Sequence, residues 1–157
     1  MTTHIPYHAG ILVPDIERAI ERLGATLGYT FNPPVRVRPT VDDRISGSTR
    51  PVEIAVSYTR EGPFRLELIE FSGDGIYGSR HGEGLHHLGI WEPDVESRLA
   101  ELEAVGRPID AVIRGEHGRV SAFYAAPEQR SGGTRIEYVG EHQRPRLERW
   151  FETGLLS

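Results

Sequence analysis

From Ile5 to Val13 the chain is apolar and β-prone, and Pro14 forces Val13 into extended geometry. The rhythm then changes. Asp15 is placed to cap a helix, and Ile16, Ala19, Ile20, Leu23 and Leu27 follow at helical spacing until Gly28 closes it. The same switch recurs later. A strand predicted over Leu85–Trp91 reaches Pro93, Asp94 caps, and Val95, Leu99, Leu102 and Val105 make the apolar stripe before Gly106. Three further strand-like runs follow each helix. They are Tyr29–Arg38, Val52–Arg60 and Phe64–Phe71 in the first half, and Pro108–Arg114, Arg119–Ala125 and Thr134–Val139 in the second. Each half thus reads β-α-β-β-β.

The two halves are copies. Placing His8 on His87 (87 − 8 = 79) also aligns Gly10 with Gly89, Ile11 with Ile90, Pro14 with Pro93, Asp15 with Asp94 and Glu17 with Glu96. The last strands repeat as Arg65-Leu-Glu-Leu-Ile and Arg135-Ile-Glu-Tyr-Val, now at an offset of 70 (137 − 67). The nine residues lost between the two offsets (79 − 70) fall most simply in segment 39–51, which is predicted to be a long loop. The expected organisation is a first module over 1–72, a glycine-rich linker over 73–84, a second module over 85–140 and an amphipathic helical tail over 141–157, together one structural domain. The linker leads into a strand and not a helix N-terminus, so it lacks the geometry of a phosphate loop.

Composition narrows the function. The 157 residues are 38% apolar, enough for one ordinary domain. A formal net charge of −5 argues against a nucleic-acid partner, which needs a basic face. No apolar run has the length of a membrane span and the start is unlike a signal peptide, so the expected address is cytoplasmic. Without cysteine there is neither a thiolate metal site nor a cysteine nucleophile.

Strand parity sorts the repeated residues. His8, Gly10 and Leu12 share one face of the first strand, and His87, Gly89 and Trp91 share one face of the fifth, whereas His86 joins Leu88 and Ile90 on the opposite, packed face. Each repeated histidine therefore has a glycine two residues on, leaving open space beside the ring. Glu67 and Glu137 occupy the middle of the fourth strand of each half, where a carboxylate is either solvated or paired within. Two imidazoles and two carboxylates suffice as donors for a divalent ion, and the set does not choose among Zn, Ni, Co, Mn and Fe(II).

The paired β-α-β-β-β plan, His-x-Gly-Ile-x-x-Pro-Asp at each module start, and Leu-Glu-Leu and Ile-Glu-Tyr on the fourth strands resemble the vicinal oxygen chelate superfamily of glyoxalases, resistance proteins and dioxygenases. In ligand set the chain is most similar to glyoxalase I and methylmalonyl-CoA epimerase members. The resemblance implies an α+β fold with two βαβββ modules forming a U-shaped, partly open, eight-stranded mixed sheet around a metal cavity. It implies metal ligands at His8, Glu67, His87 and Glu137, with Glu137 as the catalytic base and Glu67 as the symmetric alternative. It also implies an isomerase, epimerase or lyase that moves a proton α to a carbonyl through a metal-stabilised enolate. A metal-dependent dioxygenase and a metal-free binding protein of the resistance type are the alternatives. A small-molecule carbonyl substrate is expected, in a cavity for which Tyr58, Phe64, Tyr77, Trp91 and Tyr124 are candidate lining residues. On family grounds alone the protein is expected to be a homodimer.

Overall fold

In a computed structural model that describes residues 3–156, the chain forms ten strands and three α-helices. The order is β1 (His8–Val13), α1 (Ile16–Leu27), β2 (Val35–Val37), β3 (Thr40–Asp43), β4 (Ser48–Pro51), β5 (Ile54–Tyr58), β6 (Arg65–Glu70), β7 (Gly84–Glu92), α2 (Val95–Ala104), β8 (Ile109–Arg114), β9 (Val120–Ala125), β10 (Ile136–Gly140) and α3 (Arg144–Thr153). All ten strands join one mixed sheet in the order β2-β5-β6-β1-β7-β10-β9-β8-β3-β4. β1 and β7 run antiparallel at its centre, and each has its own module's last strand in parallel on its other side, β6 and β10 respectively. The curled sheet is thus two four-strand halves related by a two-fold between β1 and β7, with one hairpin added.

Local chemistry starts and stops the helices as the pattern requires. The Asp15 carboxylate accepts from the Arg18 amide at 3.0 Å, and Asp94 accepts from the Ser97 amide at 3.1 Å. Gly28 ends α1 in the left-handed conformation at φ 74°, with its amide on the Gly24 carbonyl. On one face of the sheet α1 packs on β1, β5 and β6 through Ile16 and Leu68, and α2 packs on β8, β9 and β10 through Leu99 and Phe123. The larger cluster fills the inside of the curl, where Trp150 and Phe151 of α3 meet Tyr7, Tyr58 and Ile69. The stripe fails at its last positions: Leu27 and Val105 point into solvent, because each lies at a helix end beyond the reach of the sheet. The described residues include no helix long and apolar enough to cross a membrane.

The sheet has ten strands where eight were expected, because segment 39–51 is not a loop. It forms the β3–β4 hairpin, whose first strand pairs antiparallel with β8 of the other module. Thr40-Val-Asp-Asp has only one clearly apolar residue, and Val41 is fully buried because β8 supplies a partner from far along the chain. That pairing has a geometric corollary. β2 is at one margin of the sheet and β3 is next to the other, yet only Arg38 and Pro39 separate them. Three residue steps reach at most about 11 Å, so the two sides of the U come together there and its mouth is bridged. Of the predicted Tyr29–Arg38 strand only Val35–Val37 pairs in a ladder; Phe31 contributes an isolated bridge to Thr59.

Segment 73–84 likewise does more than span. Ile76 and Tyr77 are buried, and the Ile76 amide donates to Asp43 Oδ2 at 2.7 Å, which ties this segment to the hairpin.

Candidate metal centre

The sheet register builds the site in two rows. Across β5, β6, β1 and β7, Tyr58 lies opposite Glu67, Glu67 opposite Gly10, and Gly10 opposite His87. Across β9, β10, β7 and β1, Tyr124 lies opposite Glu137, Glu137 opposite Gly89, and Gly89 opposite His8. Each row reads Tyr-Glu-Gly-His, and the two are interchanged by the two-fold. The glycines have a specific task. A Cβ on Gly10 would come 1.9 Å from Cε1 of His87, and one on Gly89 would come equally close to Cε1 of His8. Each histidine therefore lies over the glycine of the facing strand, and the space that the sequence placed beside the ring on its own strand is used across the pair.

His8, Glu67, His87 and Glu137 converge, with one donor atom from each within 4.8 Å of the others. Both histidines are fully buried, and Glu67 and Glu137 are 7% and 8% exposed. The two Nε2 atoms are 2.9 Å apart. Glu67 Oε2 lies 3.2 Å from His8 Nε2 and 3.1 Å from His87 Nε2, and Glu137 Oε2 lies 3.1 Å and 3.3 Å from the same nitrogens. Burial disfavours a charged imidazole, but the two carboxylates outweigh it and raise the pKa of both His8 and His87. Burial likewise favours neutral carboxyls, and the facing histidines outweigh it, so Glu67 and Glu137 are held below the usual carboxylate range.

These residues fit a divalent ion. Four lone-pair donors within 4.8 Å of one another repel unless positive charge lies among them, and a proton satisfies only one such line at a time. Among the described residues Glu67 Oε2 is buried without a hydrogen bond, although it lies close to both imidazoles. Nitrogen and oxygen donors of this kind suit the borderline first-row ions.

The two rows differ at their tyrosines. The Tyr58 hydroxyl donates to Glu67 Oε1 at 2.5 Å. Burial, and then the Glu67 charge, push the Tyr58 phenol well above its ordinary value, which keeps it a donor. Tyr124, its counterpart, instead meets the Tyr77 hydroxyl at 3.1 Å. Among the described residues no side chain donates to Glu137 Oε1.

Strand parity failed at His86. The β1–β7 register shifts so that Gly10 opposes His87 and Ile11 opposes Leu85, leaving His86 without an opposite number. A bulge of this kind re-aims the side chains beside it. The His86 ring comes to the cavity side, near Tyr77, Tyr124 and His87, with Nδ1 2.9 Å from His87 Nδ1 and Nε2 2.8 Å from the Ile76 carbonyl. Burial, and then His87 and Arg135, lower its pKa to about 3, so the ring is neutral. The repeat carried the only sequence signal, since Tyr7 and His86 each precede a repeated histidine.

Above the four residues is a cavity of about 440 Å³, within the range of small-molecule sites. Glu67 and Glu137 are in its wall, Ile54, Val56 and Val139 give it an apolar lining, and α3 closes one side with Leu147 and Trp150. Tyr58, Tyr77 and Tyr124 line it. Phe64 and Trp91 do not. Phe64 precedes β6 and is 47% exposed, and Trp91 stacks on Tyr7 at 3.9 Å, with Tyr7 itself facing the cavity. Arg38, Arg114 and Arg146 also contribute to the wall, and no motif marks them in the sequence.

Comparison with solved structures returns the same architecture. A methylmalonyl-CoA epimerase from Streptomyces coelicolor, in complex with 2-nitronate-propionyl-CoA, superposes with a TM-score of 0.59 at 21% identity over 88% of this chain and 95% of that one. A methylmalonyl-CoA epimerase from Mycobacterium tuberculosis gives 0.53 at 20% identity over 89% and 91%. A hypothetical protein from Bacillus halodurans gives 0.58 at 20% identity over 88% and 95%. At such identities the likeness is one of fold. No curated protein matches the chain. The family model described as the glyoxalase/bleomycin resistance protein/dioxygenase superfamily matches residues 7–123, well over half of the sequence. With the duplicated modules and the converging rows, that match makes this chain a member of the superfamily.

Proposed function

We propose that the protein is a metal-dependent enzyme of the isomerase, epimerase or lyase type that moves a proton on the carbon next to a carbonyl group of a small molecule. The observation that carries this reading is the convergence of His8, Glu67, His87 and Glu137 at a cavity large enough for such a substrate, with Glu67 and Glu137 in its wall. The fold neighbours named as methylmalonyl-CoA epimerases support an epimerase or isomerase class.

His8, Glu67, His87 and Glu137 would hold the ion, which when bound supplies Lewis acidity to a carbonyl oxygen and so acidifies the neighbouring C–H. The other tasks belong to the chain. Tyr58 holds one oxygen of Glu67, which fixes that carboxylate as a ligand. Among the described residues Glu137 has no such tether, so its Oε1 is the atom that takes the substrate proton and returns it. Ile54, Val56, Ile69 and Val139 keep water from the reacting carbon and sharpen the electrostatics around it. Arg38, Arg114 and Arg146 suit an anionic group on the substrate.

The test starts with metal analysis of protein purified without a histidine tag. It continues with anaerobic exchange of α-protons of carbonyl compounds in deuterated solvent. Exchange by the native protein that disappears in Glu137→Gln is the expected result. Absence of stoichiometric metal, together with no thermal stabilisation by Zn, Ni, Co or Mn, would overturn the reading. Turnover that strictly requires O₂ would replace it with an oxygenase.

A further inference from the structure

At the bulge in β7 the donor and acceptor roles of the groups in contact fix where the imidazole hydrogens lie. A carbonyl oxygen only accepts, so the 2.8 Å contact between His86 Nε2 and the Ile76 carbonyl places a hydrogen on that nitrogen. In the neutral ring the other nitrogen, Nδ1, is then a bare acceptor. It faces His87 Nδ1 at 2.9 Å, so His87 Nδ1 must carry the hydrogen between them. A neutral His87 protonated at Nδ1 has its lone pair on Nε2, the atom directed at His8, Glu67 and Glu137. The opposite assignment sets two lone pairs against each other at the Ile76 carbonyl.

We propose that His86 is a positioning residue for the metal centre. From its place in the bulge it fixes the tautomer and ring plane of the neutral His87, so that Nε2 is the nitrogen whose lone pair is presented to the ion, in a set orientation. This rests on the reading of His87 as a ligand. The chain of contacts is buried throughout, since His86 and His87 are both buried and Ile76 is part of the core. Its anchor lies outside the strands. Ile76 belongs to the inter-module segment, and its amide is held by Asp43 of the β3–β4 hairpin. The inserted hairpin therefore reaches the metal centre through four residues in sequence: Asp43, the backbone of Ile76, His86 and His87.

The two histidines differ in this respect. His8 Nδ1 is buried and has no hydrogen-bond partner among the described residues, and the residue before His8 is Tyr7, whose hydroxyl is buried and also lacks one. His8 is oriented by packing, including the edge-on Tyr7 ring at 4.4 Å between centroids, whereas His87 is oriented by a hydrogen bond. Partners of this kind contribute on the order of 10- to 100-fold to metal affinity.

Asparagine and leucine are nearly isosteric, but only asparagine offers an acceptor close to the position of His86 Nδ1. The experiment compares His86→Asn with His86→Leu by Co(II) titration against a competing chelator, read from the visible d–d spectrum. The expected result is an affinity for His86→Asn within about threefold of native, and a loss of roughly 10- to 100-fold for His86→Leu. Equal affinities for the two variants would overturn the proposal, because packing alone would then explain the residue. A second measurement needs no variant. In Zn(II)-loaded native protein labelled with ¹⁵N, scalar coupling across the hydrogen bond between the two Nδ1 atoms is expected, and its absence also overturns the proposal. A native protein that binds none of Zn, Ni, Co and Mn overturns the metal reading and this proposal together. A metal-binding native protein with an unaffected His86→Leu variant overturns this proposal alone.

Discussion

Gly10 on β1 stands opposite His87 on β7, and the imidazole of one fills the space that a side chain on the other would occupy. The reciprocal pair, Gly89 and His8, is its image under the two-fold. The substitution Gly10→Ala has no easy relief. The ring it meets is fully buried and is held from behind by His86. Overpacking of this kind costs about 1–3 kcal/mol, and the displaced ring takes its donor atom with it. Urea denaturation should show the lost stability, and titration with Zn(II) should show metal binding abolished.

Tyr58→Phe removes the hydroxyl that tethers Glu67 Oε1. A hydrogen bond to a charged group contributes about 1.5–3 kcal/mol, so metal affinity should fall roughly tenfold or more as the carboxylate swings away. Tyr124→Phe occupies the equivalent row position but only breaks a contact with Tyr77, and should leave the affinity within about twofold of native. Parallel calorimetric titrations of the two variants check the asymmetry.

The metal-free site should depend on pH in a defined direction. Burial opposes the charge on His8 but the carboxylates prevail, and its pKa rises from 6.5 to about 9. A raised pKa contributes stability that is fully present below the unfolded value and is lost as the pH climbs through the folded one. Thermal unfolding of the metal-free protein should therefore show stability falling between about pH 6.5 and pH 9 from this group. Metal competes with the same proton, so apparent metal affinity should rise across that window and level off above it.

Removal of the ion should loosen the centre of the sheet, since β1, β6, β7 and β10 each contribute one donor. A ligand at about a thousand times its dissociation constant stabilises the folded state by roughly 4 kcal/mol. Chelation should lower the melting temperature accordingly, and re-addition of Zn(II) should restore it. A melting temperature indifferent to chelator would contradict the metal reading.

The repeat made much of this legible. The His-x-Gly-Ile-x-x-Pro-Asp copies marked the two central strands, and the paired Glu67 and Glu137 marked their parallel neighbours. Those positions are repeated because both halves meet the same geometry. What the chain hid was non-local. Val41 is no more β-prone than many loop residues, and becomes a core residue only because β8 arrives beside it. The ring of His86 defied alternation because a bulge depends on the register of two strands, which neither one contains. Phe64 looked like cavity lining by type, yet its side chain turns outward ahead of β6.

The two residues between β2 and β3 have a mechanical meaning. A U-shaped sheet with free margins can flex open along its length and admit ligands of varied girth. Here Arg38 and Pro39 act as a clasp, and the Val52 amide bonded to the Pro39 carbonyl at 2.9 Å rivets it to the residue that leaves β4. Spreading the halves at that point would require β3 to peel from β8 or β2 from β5. The spread of the sheet is thus limited by covalent spacing, and the width open to any ligand is bounded by the backbone before a side chain touches it.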